Sequence, residues 1–203
     1  MKSEIITIDN IGNGRKEALK ITEDMGNQAG LDYAQSLRLR LLCEELIGML
    51  RGIAGEIKAD YYIECEQKEF KLHLSGEVVL DKQIHDKLVN ASSEGKNSAA
   101  KGFTGKLREM IGTLLLPGTI THTMISGFSM GLVTMGDPSS VTEGYQGMEN
   151  YLWSMQKYVS EVKDSGDEVV WDELEKSIIV NAADEVQVAI KNPNVEMIVS
   201  KAF

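Results

Sequence analysis

The sequence predicts an α/β two-layer sandwich, a sheet of about five strands covered on one face by helices. Two observations carry that expectation. A long amphipathic helix bearing Glu44 and Glu45 runs straight into residues that alternate with a period of two, and the same helix-then-hairpin order returns at the C-terminal end. A third observation bounds it: 203 residues suffice for one good core and are short for two, so the chain reads as a single domain, 1–203.

Taken in order, Ile5-Ile6-Thr7-Ile8 reads as a short strand ended by the turn residues Asp9-Asn10 and Gly12-Asn13-Gly14. A first helix is expected over Arg15–Asn27, closed by Gly30. The second starts near Leu31 or Asp32 and places Leu39, Leu42, Leu46, Met49 and Ile53 on one stripe, at gaps of three and four. After Gly55, Ile57, Ala59, Tyr61, Ile63 and Cys65 alternate with polar residues. Past the turn Gln67-Lys68-Glu69, Phe70, Leu72 and Leu74 alternate with Lys71, His73 and Ser75, which makes a half-buried hairpin. Near the C-terminal end a helix is expected over Trp171–Ala183, followed by strands through Val186–Ile190 and Val195–Val199 around the turn Asn192-Pro193-Asn194. Between the two units lie a Gly/Lys-rich segment, an uncharged insert and a helix over roughly Gly144–Val162 containing Tyr151, Trp153 and Tyr158.

The net charge of −10 repels phosphate backbones and argues against nucleic acid as a general partner. Cys43 and Cys65 form no C-x-x-C pair or disulfide framework and read as buried small hydrophobes in a reducing compartment. MKSEIITIDN meets polar residues before any signal-like apolar run accumulates, so a cytoplasmic location is expected. From Ile111 to Met135 there is no Asp, Glu, Lys or Arg. That length fits a membrane span, but Pro117, His122 and repeated Thr, Gly and Ser dilute it. No membrane is expected; the stretch reads as a buried or mobile insert, or, if exposed, as an interface for a protein partner or a second copy.

Three features could carry chemistry. Glu44, Gly48 and Gly52 stack four apart on one side of their helix, and a glycine inside a helix costs roughly 1 kcal/mol relative to alanine. The ladder therefore marks close approach to the backbone, either by the sheet or by a ligand for which Glu44 would serve as general base or metal-water ligand. Gly95–Arg108, GKNSAAKGFTGKLR, carries Lys96, Lys101, Lys106 and Arg108 with no acid among them. Exposed backbone N–H groups and a helix start suit an anion; a flexible surface loop is the other reading. The P-loop pattern fails there, because Ala100–Leu107 lacks the first glycine and the metal-binding hydroxyl. His73, His85 and His122 show no zinc spacing and read as surface or satisfied interior residues.

The succession strand, helix, GLDYAQSLRLRLLCEELIGMLRG, hairpin, small-residue loop, helix and final hairpin resembles the GHKL ATPase fold of histidine kinases and anti-sigma-factor serine kinases, over most of the chain. The resemblance implies a Bergerat-like, mixed sheet, ATP with magnesium as ligands, and a regulatory phosphotransferase. It puts Glu44 at the family's helix glutamate, a catalytic and metal-associated position, and Gly48 where the family keeps its metal-holding asparagine. The family's adenine-reading Asp-x-Gly-x-Gly turn would fall on LSGEVVLD, which contributes Gly76 and Asp81. Its phosphate-contacting lid would comprise Gly95, Lys96, Lys101, Gly102, Thr104, Gly105 and Lys106, inside an enlarged region at about 95–165. Because Gly48 has no side chain for a metal, a catalytically silent member acting as a protein-interaction module is the alternative the same residues allow.

Overall fold

The computed structural model describes residues 1–50, 57–78, 131–133, 150–191 and 194–203. Its elements run β1 (Ile6–Asp9), α1 (Arg15–Gln28), α2 (Tyr33–Leu50), β2 (Ile57–Glu66), β3 (Glu69–Val78), β4 (Leu132–Val133) and β5 (Asn150–Ser154), then α3 (Met155–Ser165), α4 (Glu168–Glu175), α5 (Ile178–Ala182), β6 (Glu185–Lys191) and β7 (Asn194–Ala202). The expected α/β organisation is present. The sheet differs from the expectation in two ways: among the described residues it has seven strands, in the order β1-β2-β3-β7-β6-β5-β4, and every pairing there is antiparallel rather than mixed.

Period-two sequence explains the core. In β2, Ile57, Ala59, Tyr61, Ile63 and Cys65 are buried while Lys58, Asp60 and Glu66 are exposed. Their cross-strand partners Phe70, Leu72 and Leu74 continue that face, and Met197, Val199, Val186, Val188 and Trp153 carry it across β7, β6 and β5. The helices supply the other half of the core: Leu39, Leu42, Cys43, Leu46, Met49 and Leu50 of α2 are all buried. Each such aliphatic side chain contributes roughly 1.5–3 kcal/mol relative to leaving it in water. Pairing of β3 with β7 joins the two helix-and-hairpin units in one sheet.

The helix starts are written locally. The Asp9 carboxylate accepts N–H groups of Ile11, Gly12 and Asn13, closing the turn that leads to Gly14. Gly14 has a φ of 73°, and a Cβ there would sit 2.3 Å from the Thr7 carbonyl oxygen, so glycine is required. At the entry to α2, Asp32 and Gln35 cap one another reciprocally: the Gln35 N–H donates to Asp32 Oδ1 at 2.8 Å, and the Asp32 N–H donates to Gln35 Oε1 at 3.0 Å.

Two element assignments are corrected. The helix expected over Gly144–Val162 begins at Met155, and the preceding Asn150–Ser154 is a strand, so Tyr151 and Trp153 belong to the sheet. Trp153 pairs with Val188, and Ser154 ends the strand by capping α3 through the Lys157 N–H. The helix expected over Trp171–Ala183 is two helices broken at Ser177. Asn181 Nδ2 donates to the carbonyl of Glu175, an oxygen that the break frees, and to that of Ser177, which also accepts the Asn181 N–H.

Candidate functional site

Glu44 lies on the side of α2 turned from the sheet, with its side chain 31% exposed. Arg40, one turn earlier, donates from Nε to Glu44 Oε1 at 3.3 Å and from Nη1 to Glu23 of α1. Arg40 therefore ties α1 to α2 through two carboxylates, which hold its guanidinium above the ordinary arginine value, chiefly by the bond to Glu23. A Cβ built on Gly48 meets nothing within 4 Å among the described residues. The sheet does not press against this glycine; the neighbouring Leu46, Ile47, Met49 and Leu50 make the buried contacts. Gly52 lies outside the described residues, as do Asp81, Gly95, Lys96, Lys101, Gly102, Thr104, Gly105, Lys106 and the insert from Ile111 to Met130.

The magnesium implied by the resemblance does not fit α2. Gly48 offers no donor, the Glu44 carboxylate already accepts from Arg40, and among the described residues no group of three His, Cys, Asp or Glu side chains is arranged to hold a metal ion.

The face of the sheet opposite α1 and α2 holds what the alternation concealed. His73, expected to be exposed or satisfied, is 8% exposed, and among the described residues neither ring nitrogen has a hydrogen-bond partner. Its ring stacks on Tyr62 at a centroid distance of 4.4 Å, and Lys2 Nζ lies 3.9 Å from the Tyr62 centroid. Glu64 and Glu196 approach the two nitrogens at 3.5 and 3.9 Å, beyond hydrogen-bond reach. Burial lowers the His73 pKa, opposed by these two carboxylates. The Glu64 carboxylate is held low mainly by its bond to Lys2. Across the same face, a shallow groove of about 550 Å³ is bordered by Lys58, Asp60, Glu77 and Glu196. Three carboxylates against one ammonium do not suit a polyphosphate.

A second depression, of about 450 Å³, lies between α2 and α5. Leu37 and Leu41 face it and are exposed, in series with Tyr33. The sequence signal was available, since Tyr33, Leu37 and Leu41 are four apart and form a stripe beside the buried one. Cys43 and Cys65 are buried, as expected. Of the uncharged stretch, residues 131–133 are described: Leu132 and Val133 form the edge strand β4 against β5, and Glu161 accepts the Gly131 N–H. Among the described residues no helix is long and apolar enough to cross a membrane. The chain matches no family model, no curated protein and no solved structure.

Proposed function

We propose that this chain is a nucleotide-binding domain of the GHKL kind, similar to the ATP-binding domains of anti-sigma-factor serine kinases. The observation that supports it is the placement of Glu44: on the helix between the first strand-helix unit and the first hairpin, with its side chain a third exposed. In this reading Glu44 orients the attacking hydroxyl or water during phosphoryl transfer. The phosphate contacts would come from residues Gly95–Lys106 and the base contact from Asp81. Calorimetric titration with ATP and with ADP, each with and without magnesium, tests the reading. Saturable heat that is retained without magnesium is expected. No heat at millimolar nucleotide in either condition sinks it.

A second reading, a catalytically silent interaction module, is favoured by the engagement of Glu44 with Arg40 and by the glycine at 48. Partner capture by the full chain and by a chain lacking residues 111–130 addresses it. The deletion stops at 130 because Leu132 and Val133 pair with β5. Identical partners for both chains would count against the uncharged stretch as the interface.

A further inference from the structure

Among the described residues, four of the large apolar side chains left exposed gather at one place. Tyr33, Leu37 and Leu41 on α2 are 85, 45 and 36% exposed, and Ile178 at the start of α5 is 50% exposed. Leu37, Leu41, Ile178 and Ala182 line the groove between the two helices. Tyr33 to Leu41 spans about 12 Å of helix axis at 1.5 Å per residue, a length that two turns of another helix would cover. Water gains nothing from apolar side chains concentrated in a concave strip, and such strips mark docking sites.

The charges on the groove say what kind of occupant fits. Its lining holds two ionic side chains, Arg38 and Lys176, both cations, in a chain where 31 acids outnumber 21 bases. Asp172 bonds Lys176 and Asp184 feels Arg38, yet neither acid borders the groove. A second copy docking through the same strip around a two-fold axis would bring this cationic border against itself. We propose that the α2–α5 groove binds a short amphipathic helix of a partner protein, with apolar residues at i, i+3 or i+4, and i+7 toward Leu37, Leu41 and Ile178, and carboxylates at its margins toward Arg38 and Lys176. This proposal stands or falls without the nucleotide reading.

The test uses the full chain and two labelled helical peptides of about fourteen residues, sharing that leucine pattern and differing only in glutamate or lysine at the flanking positions. Fluorescence anisotropy should show the glutamate peptide binding at least about tenfold more tightly, with the gap narrowing as salt rises. Leu41→Ser should weaken it by about fivefold or more, and Arg38→Glu with Lys176→Glu should invert the peptide preference. All three positions are on the surface, and circular dichroism confirms that each variant is folded. Equal binding of the two peptides, binding of neither, or indifference to Leu41→Ser would overturn the proposal. So would a dimer by sedimentation velocity that Leu41→Ser dissolves, since the strip then belongs to a second copy.

Discussion

Thr22, Cys43 and Tyr61 bring hydroxyl, thiol and phenol together in the middle of the core, where α1, α2 and β2 meet. Thr22 and Tyr61 are fully buried, with their oxygens 2.6 Å apart. Thr22 spends its one hydroxyl proton on the Ala18 carbonyl at 2.7 Å, so Tyr61 is the donor between the two. The two single substitutions are therefore unequal. Tyr61→Phe removes a donor and leaves Thr22 bonded to Ala18, costing about 0.5–1.5 kcal/mol. Thr22→Val keeps the β-branched shape but strands the Tyr61 hydroxyl with only the Cys43 thiol beside it, costing about 1–3 kcal/mol. The double variant has no stranded group, so its loss falls short of the sum by about 1 kcal/mol. Urea unfolding of all four proteins measures this, and thermal midpoints should move by about 2–4 °C per kcal/mol for a chain of this size. A larger loss for Tyr61→Phe than for Thr22→Val, or additivity within about 0.3 kcal/mol, would refute the assigned direction of the bond. Burial also holds the Tyr61 hydroxyl well above the ordinary phenol value. Its stabilising contribution is thus complete below about pH 10 and lost at higher pH, where the unfolded chain ionises first, and Tyr61→Phe should flatten that alkaline decline.

Gly76→Ala should destabilise by about 2–4 kcal/mol in the same unfolding assay, because the new Cβ would lie 2.5 Å from the Lys58 carbonyl oxygen and 2.9 Å from Ala59 Cα, both backbone atoms. A loss under about 0.5 kcal/mol would show that β2 and β3 can separate at no cost. His73→Phe keeps the stack on Tyr62 and removes two stranded nitrogens, so stability at pH 7.5 should hold or rise. The wild-type chain, with burial lowering the His73 pKa, should lose stability as pH falls through about 6.5, where the unfolded histidine binds its proton first. Glu64, Glu196, Lys2 and Lys71 face His73 and are common to both proteins, so the difference between their pH profiles isolates the imidazole; parallel profiles would remove it from the acid response. Lys68→Gly should stabilise by about 0.5–1 kcal/mol, since Lys68 holds a φ of 66° at the second position of a two-residue hairpin turn. Unchanged urea midpoints would mean that its bond to the Gly30 carbonyl offsets the backbone strain.

Local chemistry accounts for which parts of this fold were legible. The start of α1 follows from Gly14, and the β2–β3 hairpin follows from the alternation of β2, which its burial matches residue by residue. The strand Asn150–Ser154 was hidden because five residues next to an amphipathic helix carry too short a period to separate from it, and its pairing partner, β6, is distant in sequence. The break at Ser177 hinges on Asn181 reaching back to two carbonyls, a tertiary detail that helical periodicity does not record. His73 fell on the polar alternation and was read as exposed or satisfied. Its burial comes from the Tyr62 ring across the β2–β3 ladder, with Ile198 its register partner on β7. The mixed sheet came from the resemblance alone, since alternation specifies a face and leaves the direction of the neighbouring strand open.

Both proposals place their ligands on one outward strip of α2. Leu37 and Leu41 occupy its first half, and Glu44 and Gly48 follow at seven-residue spacing, on nearly the same side of the helix. Leu41 and Glu44 are separated by about 4.5 Å of helix rise, too little for a docked helix and a bound nucleotide to ignore each other. Arg40, one turn before Glu44, holds α1 to α2 through Glu23 and Glu44. A carboxylate brought to Arg38 competes for the same run of cations, and a phosphate brought beside Glu44 draws on Arg40. If both ligands bind, the acidic peptide should weaken ATP by about fivefold or more, and ATP should weaken the peptide by the same factor, because coupling between two binding equilibria is reciprocal. Titrating ATP at saturating peptide, and peptide at saturating ATP, measures both factors. Equal factors near one would place the nucleotide off this strip and take Glu44 out of its site.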